Sequence, residues 1–161
     1  MCQSLILILL SQQKMIDKTA YIDSIIQKLK LQLAELEAEL NSIDEEIGNE
    51  TKSSAGDKFE TSREMMSQVR ARVGERIEAI AIQLRNINQV EKQLNVVQHG
   101  ALVKSNRGFF FFGLAIEKHH FEGNPVFNLS IHSPIGQAFA NKTKGDEIDF
   151  RGNMYQLIDI A

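Results

Sequence analysis

The stretch from Tyr21 to Ile47, YIDSIIQKLKLQLAELEAELNSIDEEI, decides the fold. Its apolar positions Ile22, Ile26, Leu29, Leu33, Leu36, Leu40, Ile43 and Ile47 alternate in steps of four and three, the a/d spacing that winds one helix onto another. A second stripe follows in Met66, Val69, Val73, Ile77, Ile80, Leu84, Ile87 and Leu94. There the two steps of four from Val69 through Val73 to Ile77, and the polar stretch around Glu91, read as a stutter that locally unwinds a supercoil. Between the stripes runs Ser53-Ser54-Ala55-Gly56, a hinge of small residues, with the acidic pair Asp57 and Glu60 just beyond it. Two stripes of similar length about one short hinge predict an antiparallel hairpin in which each helix buries its seam on the other. About 35 residues per arm at ~1.5 Å per residue gives a rod roughly 50 Å long, a length that serves reach or spacing.

Composition bounds the rest. The chain has 161 residues, 43% hydrophobic and 24% charged, ordinary material for one or two small domains. A net charge of −3 argues against a nonspecific nucleic-acid binder, which shows a basic excess over at least one face. The lone cysteine, Cys2, excludes a disulfide framework or a cysteine zinc site within one chain and points to a reducing, cytoplasmic compartment. The run Leu5-Ile6-Leu7-Ile8-Leu9-Leu10 is too short for a bilayer, which takes about 20 apolar residues, and lacks the basic region of a secretory signal. Residues 1–14 are therefore read as an N-terminal extension, frayed or lying upstream of a true start at Met15. A weak anchor or unusual signal is the alternative, and no membrane partner is expected.

Residues 15–97 form the expected hairpin, with its tip near 53–60. From residue 98 to 161 the pattern changes to short apolar runs bounded by glycine, asparagine and proline, the mark of a second domain built from strands. Strands are predicted at Ala101 to Lys104, Gly108 to Ile116, Val126 to Ile131, Glu147 to Phe150 and Met154 to Ile160. Turns are predicted at Asn106-Arg107-Gly108, Glu122-Gly123-Asn124 and Arg151-Gly152-Asn153. Ser133 can cap, and Pro134 suits the first position of, one short helix through Ala140. Phe109 to Phe112 place two rings on each face of a strand, as core on one face and a shielded helix or groove on the other, or as a partner-binding aromatic patch. The fold class is α+β, a coiled-coil hairpin followed by a small, mostly antiparallel β domain with one short helix.

The segment from Leu129 to Ile148, LSIHSPIGQAFANKTKGDEI, resembles the C-terminal signature of the bacterial Gre transcript cleavage factors, whose pattern runs I-S-x-x-S-P-L-G-x-A-L-x-G-K-x-x-G-D-x-V. Gly56-Asp57-Lys58-Phe59-Glu60 likewise resembles the G-D-L-S-E that opens the Gre tip motif. The chain departs from the family after Glu60, where Thr61, Ser62, Arg63 and Glu64 stand in place of N-A-E-Y, and at Asn141, which replaces a glycine. Asparagine tolerates left-handed backbone better than most residues. The resemblance implies an FKBP-like C-terminal domain that docks at the rim of the secondary channel of bacterial RNA polymerase, through the corner at Ser133, Pro134 and Ile135. The hairpin then reaches toward the active centre and the nascent RNA 3′ end. It further implies that Asp57 and Glu60 help hold a Mg²⁺ shared with the polymerase, which itself cleaves backtracked RNA. On this reading the chain is an activator and not a stand-alone enzyme.

The residues themselves leave the tip open. Carboxylates at i and i+3 of a helix start share a face and form a plausible half-site for Mg²⁺. The same spacing fits a capping box with Asp57 as N-cap and Glu60 at N3. Asp44, Glu45, Glu46 and Glu50 add negative charge on the other arm. Lys52, Lys58 and Arg63, with Arg70 and Arg72, are candidates for RNA phosphate contact or for ordinary i,i+4 pairing on a solvated face. His99, His119, His120 and His132 show no metal-ligand spacing, and no nucleophile elbow or phosphate loop is present. Beside cleavage stimulation stand three further readings: a secondary-channel regulator that binds without cleaving, a coiled-coil adaptor for another protein, and prolyl isomerisation by fold analogy alone. A hairpin closed on itself predicts a monomer.

Overall fold

In the computed structural model the described residues are 14–50, 58–91, 93–114, 116 and 118–161, with only the backbone described for 50 and 58–60. Two long helices open the chain, α1 (Lys18–Glu50) and α2 (Lys58–Ile87). Asp17 starts the first. Its carboxylate accepts from the Ala20 N–H at 3.0 Å and its carbonyl from the Tyr21 N–H at 2.9 Å, as an N-cap does. Six strands and a short helix follow: β1 (Ala101–Ser105), β2 (Gly108–Phe112), β3 (His119–Phe121), β4 (Asn124–Asn128), α3 (Pro134–Phe139), β5 (Glu147–Phe150) and β6 (Asn153–Ile160). The architecture is α+β. The chain divides into two compact units: Ile25–Arg85, and the described residues up to Ser24 together with Asn86–Ala161.

In the helical unit the predicted seam is the buried stripe. Leu29, Leu36 and Val73 are buried, and Ile26, Leu33, Leu40, Ile43, Ile47, Met66, Ile77, Ile80 and Leu84 are half-buried. The arms run antiparallel. Asp44 late in α1 takes a two-pronged contact from Arg70 early in α2, Nε to Oδ1 and Nη2 to Oδ2 at 3.3 Å, and Leu36 and Glu39 share a groove with Arg76 and Ile80. Val69, at the start of the four-four step, is 38% exposed while Val73 is 3% exposed, so the stutter turns one seam residue out. Leu31 and Ile82 are exposed at outward heptad positions, and Met65 joins Val69 one turn apart. Single exposed apolar residues are normal, and among the described residues these form no second continuous seam.

The other unit is built on a six-stranded sheet in the order β3-β4-β2-β1-β6-β5. β2 and β4 run parallel and the remaining pairs antiparallel. Three two-residue turns fall where the glycine-containing triplets predict them. Glu122 and Gly123 have φ of 49° and 77°, and Arg151 and Gly152 have 54° and 75°; two positive φ values in a row match the twist of a tight hairpin. β2 stops at Phe112, short of the Ile116 that its apolar run suggests. A Cβ at Gly113 would stand 2.4 Å from the Phe111 ring, and the chain leaves the sheet there. β4 begins two residues earlier and ends three earlier than expected. β3 has no signal in the sequence, because three residues are too few to show alternation and their strand character comes from pairing with β4.

All four phenylalanines are buried, so they are core and not a patch. Phe110 and Phe112 pack with Leu94, Val97, Val103, Phe139, Ile148 and Leu157 on the α3 face. Phe111 points the other way and meets the Tyr21 ring edge-on at 5.5 Å. Tyr21 is fully buried, sits 5.6 Å from the Phe121 ring, and donates its hydroxyl to Asn128 Oδ1 at 2.7 Å; burial raises its pKa well above the usual range. Ser24 Oγ lies 3.1 Å from His119 Nε2. The first two turns of α1 are thus part of the sheet's second face, an aromatic cluster closed by side-chain hydrogen bonds.

Lys18 opens the same helix. It is only 5% exposed and donates Nζ to the Glu91 carbonyl at 2.6 Å. Burial lowers its pKa from 10.5 to about 8, against the opposing pull of the Glu91 carboxylate. Between those two values the folded chain binds fewer protons than the unfolded one, so stability rises with pH. The denaturation midpoint is expected to climb from about pH 8 toward pH 10.5, and below pH 8 the full cost of charging a buried amine is present. Lys18→Met is expected to flatten that slope and to be at least as stable as wild type at neutral pH. Urea titrations of both proteins across this range check the expectation.

Candidate functional site

The structure reaches the two ends of the hinge. α1 closes at Glu50 and α2 opens at Lys58, so Glu60 occupies the third helical position of α2. Lys52 and Asp57 lie outside the described residues, as do the side chains of Lys58 and Glu60. Arg63, one turn on, is exposed. On the facing arm Asp44 is paired with Arg70 and is not free to add to a cation site, while Glu45 and Glu46 are exposed. Arg72 Nε donates to the Gln68 carbonyl at 3.4 Å, and Gln68 reaches back to Glu64 at 3.3 Å. These are contacts of a solvated helix face, weak in energy. Among the described residues no group of three or more histidine, cysteine, aspartate or glutamate side chains could hold a metal ion.

The second candidate region, Leu129 to Ile148, is described throughout, and nearly every residue of its pattern has a structural task. Ser130 and Ser133 build the entry to α3. The Ser133 hydroxyl donates to the Ser130 carbonyl at 2.6 Å and accepts from the Gly136 N–H at 3.1 Å, and the His132 N–H reaches Ser130 Oγ at 3.2 Å. Pro134 takes the first helical position, where its missing N–H is not needed. Gly136 is required sterically, since a Cβ there would stand 2.2 Å from the Ser130 carbonyl oxygen. α3 ends at the Ala140 cap, and Asn141 follows with φ of 61°, the left-handed conformation in which asparagine replaces glycine at small cost.

The segment then turns back onto the chain that leaves α2. The Asn141 N–H donates to the Val97 carbonyl and the Val97 N–H to the Lys142 carbonyl, each at 2.8 Å, and Val96 bridges Thr143. Asp146 Oδ2 accepts from the Thr143 N–H at 2.8 Å and from its hydroxyl at 3.2 Å; the backbone bond holds the carboxyl below its usual range. The Leu157 N–H donates to the Asp146 carbonyl at 2.9 Å, which fastens the turn to β6. The pattern therefore encodes a capped helix with a two-ended clamp. Within the predicted docking triplet the Ser133 hydroxyl is engaged on both sides, Pro134 is exposed and Ile135 is half-buried.

Beside β3, two further features of the described residues escaped the sequence reading. Tyr21 and its neighbour Ile25, one turn on, are more deeply buried than the seam residues Ile22 and Ile26. The signal was an aromatic residue off the heptad stripe with an apolar partner at i+4, which widens the stripe at that end. The other is the cluster of Phe110, Phe127 and Tyr155, whose members lie on three different strands and show no common spacing.

No protein-family model matches the chain, and no curated protein matches it. Among solved structures the chain is similar to one described as the structure of the transcription factor Gfh1, with 19% sequence identity, a TM-score of 0.36, and alignment over 84% of this chain and 92% of that one. Among the described residues no helix is long and apolar enough to cross a membrane.

Proposed function

We propose that this chain is a Gre-like factor that binds bacterial RNA polymerase, inserts its helical hairpin through the secondary channel and stimulates the polymerase to cleave backtracked RNA. The observation that carries the reading is the conjunction of two features in one chain. An antiparallel hairpin has the acidic pair Asp57 and Glu60 at the join of its arms in sequence, and the segment from Leu129 to Ile148 keeps eight of the thirteen fixed positions of the Gre signature, with apolar residues at four more. Docking falls to the corner at Ser133, Pro134 and Ile135, where Pro134 is exposed, Ile135 is half-buried, and the bonds among Ser130, Ser133 and Gly136 fix the turn.

At the tip, Asp57 and Glu60 would offer carboxylate oxygens toward a Mg²⁺ held jointly with the polymerase, whose chemistry is activation of a water for attack on phosphate. Lys52, Lys58 and Arg63 would face RNA phosphates near the 3′ end, each as a local contact suited to a chain with net charge −3. No catalytic step belongs to this chain alone. The second reading, binding without cleavage, is favoured by one observation: Thr61, Ser62, Arg63 and Glu64 depart from the family sequence just after the acidic pair. Both readings share the partner. Fluorescence anisotropy of the labelled full chain with core bacterial RNA polymerase is expected to show saturable one-to-one binding, and absence of binding would remove both.

A further inference from the structure

The half of the hairpin nearest its join is held by an incomplete seam. Over residues 61–72 no side chain of α2 is fully buried, and over residues 37–49 none of α1 is. Full burial begins only behind them, at Val73 on one arm and Leu36 on the other. Ile43, Ile47 and Met66 are half-buried, and the stutter has turned Val69 out. Across this stretch, among the described residues, one ion pair joins the arms: Arg70 on α2 to Asp44 on α1. Both nitrogens of its contact are used, Nε on Oδ1 and Nη2 on Oδ2 at 3.3 Å. Such a fork fixes direction as well as distance, which a single-point contact does not.

The pair stands at unequal distances from the two helix ends. Asp44 is six residues from the end of α1 and Arg70 twelve from the start of α2, about 9 Å and about 18 Å of helix. Beyond the pair α2 therefore outruns α1. The Glu60 backbone, ten residues from Arg70 and so about 15 Å along the helix, stands past the last residue of α1. Its place is set by whatever grips α2 behind it. We infer that Asp44 and Arg70 are a positioning pair: their cross-arm bond sets the register of α2 on α1 and, through it, where the start of α2 presents Glu60. Arg70, which the sequence alone leaves as a candidate for RNA phosphate, is on this account part of the protein's own frame. An exposed pair adds little to global stability, so the effect falls on placement, where a shift of about 1 Å is enough to slow a positioned reaction. The inference rests on the cleavage reading proposed above and adds to it the residues that aim the tip.

Asp44→Ala, Arg70→Ala and the charge swap Asp44→Arg/Arg70→Asp, each in the full chain, separate this role from a direct contact. In backtracked complexes at saturating factor, each single substitution is expected to lower the cleavage rate about fivefold, while the concentration that half-saturates polymerase moves by less than about twofold. The charge swap is expected to return the rate to within about twofold of wild type. Amide hydrogen exchange of the free chain reads the same geometry without polymerase. Amides of residues 61–66 are expected to exchange about threefold faster in each single variant and at the wild-type rate in the charge swap. Cleavage lost in Arg70→Ala but kept in Asp44→Ala identifies Arg70 as a direct contact and overturns the inference, as does a charge swap no better than the single variants. Where the wild-type chain leaves the RNA intact, the cleavage reading falls and hydrogen exchange decides alone. Unchanged exchange in the single variants then removes the pair's role, and faster exchange rescued by the charge swap upholds it.

Discussion

Gly136→Ala is expected to destabilise the sheet-containing unit by roughly 3 kcal/mol or more. The reason is steric and local. A Cβ at this position would lie 2.2 Å from the Ser130 carbonyl oxygen and 2.7 Å from that of Ile131, both backbone atoms with no rotamer to yield. Relief requires opening the turn in which the Ser133 hydroxyl caps the Gly136 N–H, and α3 then loses its start. Phe139, fully buried against Phe110, Phe112 and Tyr155, would lose its seat. Gly74 supplies the contrast: it lies inside α2, where an added Cβ would meet nothing within 4 Å, and Gly74→Ala is expected to stabilise by about 0.5–1 kcal/mol through helix propensity and chain entropy. Urea unfolding followed by tyrosine fluorescence and by helical circular dichroism separates the two. A Gly136→Ala protein with an unchanged midpoint would show that the 130–136 turn is not the rigid element described above.

The second large effect is functional. Asp57→Ala/Glu60→Ala is expected to lower cleavage of backtracked RNA by about two orders of magnitude or more, the scale on which removal of a group that stabilises transition-state charge acts. Binding to polymerase is expected to stay within about twofold, because the proposed docking corner at Ser133, Pro134 and Ile135 belongs to the other compact unit and substitutions that share no partners act independently. If the pair also forms the capping box that its spacing allows, the same substitutions cost the hairpin about 0.5–2 kcal/mol. Asp57→Asn/Glu60→Gln separates the two roles, since amides retain much of the capping geometry while removing both charges. Equal loss of cleavage in the amide and alanine variants assigns the effect to the charges. Cleavage retained in the amide variant would assign it to helix stability.

What the sequence disclosed and what it hid follow from the range of the forces involved. The heptad stripe from Ile26 to Ile47 is a local pattern, and each of its members is buried or half-buried. Asn141 at φ 61° and the positive-φ turns at Glu122-Gly123 and Arg151-Gly152 were legible for the same reason, because backbone sterics act within one or two residues. β3 was hidden because its three residues are strand only by virtue of β4, and the Tyr21–Asn128 bond because it joins residues 107 apart in sequence. At the candidate site the sequence supplied the acidic pair and the signature segment. It also supplied Ser133 as a helix cap, which the bonds to Ser130 and Gly136 show.

The most direct test of the central claim is the fate of 3′-labelled RNA in stalled, backtracked complexes of a bacterial RNA polymerase, with and without the full-length chain, at fixed Mg²⁺. The account predicts that the chain accelerates release of a short labelled 3′ fragment and leaves a shortened transcript that the polymerase can extend again. Polymerase saturated with the chain while its RNA stays intact would contradict it.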